Sequence, residues 1–112
     1  VVEAMEPEEE AFLDWLRREG AVFPKLKWPH TFESTNSRGC LVLEPIATNE
    51  AMLEVPEHLM MTPIGALTDE HIGAAVSGCL GSLPGDVVLC IFIMYHKLLG
   101  ERSFFWPFLR IL

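Results

Sequence analysis

The segment NSRGCLVLEPIATNEAMLEVPEHLMMT, which runs from Asn36 to Thr62, carries the strongest strand signal in the chain. A polar turn at Ser37–Gly39 leads into the apolar run Cys40–Leu43, and a second apolar run occupies Ala51–Val55. Each run stops at a proline, and the short polar segment ATNE lies between them. Two apolar runs connected in this way predict a β-hairpin. A glycine directly before it serves either a tight turn or the close approach of a ligand to the main chain.

An amphipathic helix is predicted before this segment, over PEEEAFLDWLRREG from Pro7 to Gly20. Proline and glutamates suit its first turn, and Gly20 can close its last one. The next residues, AVFPKLKWPH, predict an extended edge segment because they contain two prolines, and TFESTNSRG predicts a polar loop. The helix has an apolar stripe, which indicates core packing and consists of Phe12, Leu13, Trp15 and Leu16.

The second half of the chain predicts two helices with a loose connection between them. HLMMT is expected to be extended, and Thr62 then caps a short helix that begins at Pro63. A longer helix is predicted from Asp86 to Leu99, closed by Gly100. The β-branched content of VVLCIFIMY also permits a buried strand, but the length and the end signals favour the helix. The connection, with room for one helical turn, contains Gly73, Gly78, Gly81 and Gly85.

Composition places the chain among globular proteins. It has 112 residues, of which half are apolar, so we expect one domain or a piece of one with a buried core. The net charge of −8 argues against a nucleic-acid-binding surface, which needs clustered Lys and Arg. Residues 1–10 are predicted to be an acidic, solvated leader, whose glutamates are Glu3, Glu6, Glu8, Glu9 and Glu10.

Cysteine, histidine and hydropathy patterns predict an intracellular protein without metal. Cys40, Cys79 and Cys90 are an odd number without close spacing, which predicts reduced thiols and no zinc-ligand set. The acidic start differs from a signal peptide. The apolar run Val87–Tyr95 is too short for a membrane helix, which needs about 20 residues. The start without Met and the end inside an aromatic run suggest an excerpt of a longer chain.

The order of these pieces resembles the start of a SET domain. A helix with FLDWLRREGA is followed by SRGCLVLEPI, NEAMLEVPEHLMMT, an apolar helix and SFFWPFL. The similarity is to the branch that includes the Rubisco large-subunit lysine methyltransferase and the actin-histidine methyltransferase. It implies an α+β fold, mostly β, in which residues 11–112 are the N-terminal half of a SET domain, built of short strands and hairpins with flanking helices.

The resemblance implies a site for S-adenosylmethionine. Ser37 to Cys40 lie on the family's Gly-x-Gly-Leu motif, and Asn49 to Pro56 lie on the strand that returns past it. Backbone groups of these two segments form part of the family's donor site. Main-chain oxygens beside a glycine suit a sulfonium, which needs close approach and partial negative charge. The implied donor contacts are Asn36, Ser37, Arg38, Gly39 and Cys40 in the first segment and Glu50, Ala51 and Met52 in the second.

This sequence departs from the family pattern at several positions. Ser37 replaces the first glycine, Phe105 takes the place of the family's Trp, and Phe108 that of its Tyr. The family's Asn-His-[Ser/Asp] motif and its catalytic Tyr would come after Leu112, so no catalytic residue is assigned. Tyr95 lies within the apolar helix, where packing is the expected role.

Two functions of different classes follow. The leading one is the N-terminal segment of an S-adenosylmethionine-dependent protein-lysine (or histidine) N-methyltransferase. The segment is expected to be inactive alone. The partner of the whole enzyme is a protein substrate with a reactive side-chain nitrogen. The alternative is a catalytically inactive SET-like protein-interaction module. A metal or redox protein is a third possibility, for which the sequence offers only scattered Cys and His.

Overall fold

A computed structural model describes residues 5–79 and 82–112, so Glu3 and Gly81 lie outside the described residues. The chain divides into two compact units. The first extends to Pro56 and includes Ile111, and the second comprises Glu57–Arg110 and Leu112.

The first unit begins with helix α1, Pro7–Arg18. The side chain of Glu9 accepts a hydrogen bond from the Glu6 main chain in a capping box, and Pro7 occupies the first turn. Leu13 and Trp15 on its apolar face are buried, which confirms the predicted stripe. The helix ends before Gly20, whose φ of +101° lies in the left-handed region that glycine adopts most easily.

Strands β1, Leu26–Phe32, and β2, Ser37–Val42, form a two-stranded antiparallel sheet in this unit. Phe32 pairs with Ser37 beside the connecting turn, and Leu26 pairs with Val42 at the other end. The register shifts between Lys27 and His30, where Pro29 cannot donate to the ladder.

The predicted hairpin between Cys40–Leu43 and Ala51–Val55 is wrong. The first of these runs belongs to β2, which pairs with the preceding segment. From the second run, only Glu54 pairs, in an isolated bridge with Val22. The physical reason is loop closure, since the four-residue turn 33–36 brings β1 beside β2 at a slightly lower entropic cost than the seven residues 44–50, which separate Leu43 from Ala51.

The second unit is helical. It contains a 3-10 turn at Glu57–Leu59, helices α2 (Pro63–Thr68), α3 (Gly73–Gly78) and α4 (Gly85–Leu99), a second 3-10 turn at Gly100–Arg102, and helix α5 (Trp106–Leu109). Phe92 of α4 is 2% exposed and packs edge-to-face on Phe105. The buried side chains of this unit are those of Leu59, Ala66, Ile72, Val76, Val88, Phe92, Phe105 and Leu109, together with polar His96 and Ser103.

Local end signals located most of these helices. The Thr62 hydroxyl accepts a hydrogen bond from the Gly65 N–H at 2.9 Å, as expected for the cap of α2. Gly100 follows α4 with a φ of +59°, also as predicted. Asp86 is not the cap, because α4 begins one residue earlier, after Pro84. The predicted extended segment HLMMT is wrong at its start, where His58 and Leu59 belong to a 3-10 turn.

The α+β class is confirmed, but the expectation of a mostly β chain is wrong. Helices α1 and α4 have 12 and 15 residues, whereas the strands have 7 and 6. The apolar run Val87–Tyr95 forms helix, since Asp86 before it and Gly100 after it provide helix-end chemistry.

Helix α4 also carries apolar side chains that the unit leaves exposed. Four of them are spaced three or four residues apart, which places them on one face of the helix. We call these four side chains the outer stripe; they are Val87, Ile91, Met94 and Leu98. Their exposed fractions rise from 38% at Val87 to 83% at Leu98.

Among the described residues, no helix combines the length and apolarity needed to cross a bilayer.

Candidate functional site

The first predicted donor segment lies on the turn and on β2. Asn36 ends the turn with a φ of +49°, and Ser37 to Cys40 belong to the strand. The predicted turn at Ser37–Gly39 is therefore wrong. Gly39 pairs with His30, and a Cβ added to it would lie 3.6 Å from the Phe32 ring, an ordinary van der Waals distance. The backbone thus places no steric demand for glycine at this position.

Arg38 ties this strand to helix α1. Its guanidinium forms an ion pair with Glu9 and lies 5.7 Å from the centre of the Trp28 ring. The Glu9 side chain is only 10% exposed, so this glutamate is not part of a solvated leader as predicted. Trp28 in turn packs edge-on against Phe12 of α1. The contacts fix the position of β2 relative to the helix.

The second predicted segment lies on the loop after β2. The ammonium of Lys25 donates to Glu50 Oε1 at 2.7 Å and to the Pro45 carbonyl at 3.0 Å, and the Ala47 N–H donates to the other Glu50 oxygen at 2.7 Å. The hydrogen bond from Lys25, followed by that from Ala47, lowers the pKa of Glu50 below its ordinary value. Ala51 and Met52 beside it are exposed.

The two predicted donor segments are held at opposite ends of the hairpin that β1 and β2 form. Ser37 lies at the turn end, whereas Lys25, which holds Glu50, directly precedes Leu26 at the opposite end. From Ser37 at the start of β2 to Leu43 just after it there are six residue steps, which span about 20 Å. A ligand that touches both segments therefore has to lie along β2 rather than at its turn.

A buried polar chain in the second unit was not predicted from the sequence. Nε2 of His96 lies 2.8 Å from Asp69 Oδ2, and Nδ1 lies 2.6 Å from Ser103 Oγ. The side chains of His96 and Asp69 are 3% and 9% exposed, and Ser103 is 5% exposed. The Ser103 oxygen also accepts the Phe105 N–H at 3.1 Å.

The surroundings of Asp69 keep its carboxylate ionised. Burial by itself raises the pKa of Asp69, but hydrogen bonds from His96 and from the Ile72 and His71 N–H groups lower it below the ordinary value. An anionic Asp69 requires a donor on Nε2 of His96. In the tautomer with its hydrogen on Nε2, the lone pair lies on Nδ1 and faces the Ser103 hydroxyl.

Sequence reasoning treated His96 as one of four scattered histidines and Asp69 as part of a loose connection. The local signal it passed over is the Asp69 side chain capping the main chain of His71 and Ile72. Asp69 and His96 are 27 residues apart in the sequence, so their pairing has no local signature.

Within residues 5–79 and 82–112, no group of three His, Cys, Asp or Glu side chains is arranged to hold a metal ion. The three cysteines are free and exposed. No family model, curated protein or solved structure matches this chain.

Proposed function

We propose that this chain is the N-terminal part of a SET-type protein N-methyltransferase and contributes one wall of its S-adenosylmethionine site. The observation that carries the proposal is the order of the motifs from FLDWLRREGA to SFFWPFL, which resembles that of the family over nearly the whole chain. The reaction is in-line transfer of a methyl group to a side-chain nitrogen of a protein, most often lysine.

Three structural features support this proposal. The motif-bearing segment Ser37–Val42 is a strand with four exposed residues and, among the described residues, one unpaired edge, so the main-chain groups of that edge are open to a ligand. Gly39 presents no side chain there. The hydrogen bonds of Glu50 with Lys25 and with the Ala47 N–H hold the loop that carries the second predicted donor segment.

In this proposal the protein supplies position and electrostatics, and the donor supplies the reactive methyl group. The main chain around Gly39 approaches the donor, and the Glu9–Arg38 pair holds the strand in place. The acceptor nitrogen has to lose its proton and its water before attack.

The test is titration of S-adenosylmethionine into the intact protein that contains this segment, measured by calorimetry. We expect Gly39→Ala to weaken donor binding at least tenfold, because a methyl group then occupies the space of the approaching ligand, while the fold is retained. The matched control is Gly78→Ala in the second unit, where an added Cβ meets nothing within 4 Å. Unchanged donor affinity in Gly39→Ala, or no affinity in the unaltered protein, would refute the proposed site.

A second candidate function is a SET-like interaction module without catalysis, and the exposed outer stripe of α4 favours it. The sequence that follows Leu112 in the intact protein discriminates between the two. An Asn-His pair followed by a tyrosine supports methyl transfer, and the loss of these residues supports the interaction module.

A further inference from the structure

The Asp69, His96 and Ser103 side chains form a connected chain that orients one proton acceptor. Asp69 is fixed by three hydrogen bonds, from the His71 and Ile72 N–H groups and from His96. It therefore acts as an anchored anion that sets the tautomer and the rotation of the imidazole. The acceptor nitrogen Nδ1 then lies 2.6 Å from the Ser103 oxygen, which is hydrogen-bond reach for a general base.

The Ser103 hydroxyl retains a lone pair for reaction. Its proton goes to His96 Nδ1, and one lone pair accepts the Phe105 N–H. A hydroxyl oxygen has two lone pairs, so one remains for attack on an electrophile. The low exposure of His96 and Ser103 strengthens the electrostatic interactions of the group.

An open pocket of about 550 Å³ borders all three side chains. Phe104, 43% exposed, supplies an apolar part of its wall, while Glu70 and Arg102 contribute opposite charges. Together with the ionised Asp69, which also borders the pocket, they give the lining a net negative charge, which disfavours an anionic ligand. The size and lining fit a small carboxylic ester.

We propose that Ser103 is a nucleophile activated by His96 and Asp69, and that it accepts a short acyl group from a small carboxylic ester bound in this pocket. As the Ser103 oxygen bonds to the ester carbonyl carbon, its proton moves to His96 Nδ1. The bond to the alcohol oxygen then breaks, and the alkoxide takes that proton and leaves as the alcohol. Water hydrolyses the acyl-serine by the same route, which releases the carboxylic acid and restores the hydroxyl. Asp69 is a positioning residue that acts through the imidazole.

The experiment treats the whole 112-residue chain with a biotinylated fluorophosphonate, which forms an oxygen–phosphorus bond with an activated serine and releases fluoride. Intact mass and peptide mapping then locate the adduct. We expect a single adduct, on Ser103. The matched control is Ser82→Ala, because Ser82 is an exposed serine whose hydroxyl donates to the Cys79 carbonyl and has no imidazole partner. This control keeps the labelling rate.

Two variants of Ser103 separate reactivity from folding. Ser103→Ala removes the adduct and also leaves His96 Nδ1 without its donor, so it can lower stability. Ser103→Cys keeps the size and a weak donor, and circular dichroism checks that it folds. We expect both variants to lose the phosphonyl adduct. We also expect Ser103→Ala to lose ester hydrolysis, which is followed with p-nitrophenyl acetate.

The proposal fails if the folded, unaltered chain forms no adduct under conditions that fully label a serine esterase. It also fails if the adduct lies on another residue, or if folded Ser103→Cys labels as fast as the unaltered chain.

Discussion

Asp69 makes the stability of the second unit depend on pH. Its folded-state pKa is lowered, so the group stabilises the protein fully above its unfolded pKa, about 3.9, and this stabilisation is lost as the pH falls through the lower folded value. We therefore expect the free energy of unfolding to decrease on acidification below about pH 4.

Asp69→Asn should remove this contribution at neutral pH. The asparagine amide is uncharged and has only one oxygen that can accept the His96 N–H. We therefore expect a loss of about 2–3 kcal/mol in the free energy of unfolding at pH 7. The variant should also show a weaker decrease of stability between pH 5 and pH 3, a range bracketing that carboxyl's ordinary pKa of about 3.9. Urea denaturation followed by circular dichroism measures both effects.

The matched control is Asp14→Asn on α1. Asp14 and Arg17 lie 3.9 Å apart with side chains 67% and 60% exposed, so the expected change is at most about 0.5 kcal/mol. Equal losses in the two variants would mean that the hydrogen bonds among Asp69, His96 and Ser103 contribute no more to the free energy of unfolding than a surface charge does.

At this scale the sequence predicts residues whose partners are near. The Thr62 cap and the glycine after α4 were predicted because each acts within four residues. Asp69, His96 and Ser103 were missed because tertiary packing, rather than local spacing, brings them together. For the same reason the sequence did not predict that Glu9 pairs with Arg38.

Among the elements, the end of α4 offers a test of backbone conformation. Gly100 has a φ of +59°, and an added Cβ would meet nothing within 4 Å, so only backbone strain opposes a side chain there. We expect Gly100→Ala to lower the free energy of unfolding by about 1 kcal/mol. Thermal melting measures the change.

Gly78→Ala is the comparison for this prediction. Gly78 ends α3, has equally open space around its Cα, and does not have a left-handed φ. Alanine should therefore be neutral or stabilise by up to about 1 kcal/mol. If both substitutions shift the melting temperature in the same direction, the strain at Gly100 is not what distinguishes the two sites.

Element types were predictable where local chemistry decides them, and strand partners were not. Proline, glycine and capping residues marked α1, α2 and α4. The strand signal at Cys40–Leu43 was correct, but its partner was misassigned. The preceding and the following segments both contain apolar residues, and only the entropic cost of closing the connecting loop favours one partner over the other. The first predicted donor segment consequently lies mostly inside a strand, and Gly39 is not part of a turn.

For the whole molecule, exposed apolar surface is the property with the clearest consequence. The outer stripe presents apolar side chains that water solvates poorly. The edge of β2 that is unpaired among the described residues presents main-chain N–H and C=O groups with which a strand of another copy can pair. We expect the chain alone to bind an extrinsic hydrophobic dye and to self-associate. Dye fluorescence and light scattering against concentration measure this.

Replacing Met94 and Leu98 by lysine should reduce the dye signal without lowering the melting temperature, because both side chains are largely exposed. The corresponding control is Met5→Lys, since Met5 is exposed before α1 and belongs to no stripe. A chain that stays monomeric, melts cooperatively and leaves the dye dark would contradict the half-domain proposal.

Composition predicted a buried core, since this depends on averages over the chain, whereas the α+β class came from the resemblance. The proportion of helix was underestimated, because the mostly β expectation came from the resemblance and not from the periodicity of residues 57–112. The methyl-donor site depends on the same resemblance and remains a prediction.

The three exposed thiols lie at different places: Cys40 on β2, Cys79 just after α3 and Cys90 on α4. Storage in air will therefore link separate copies covalently, and preparations need a reducing agent. The same arrangement provides an internal standard for alkylation kinetics. Reagent consumption at Cys79 and Cys90 calibrates each sample, so shielding of Cys40 by a molecule seated on β2 can be measured without any engineered label.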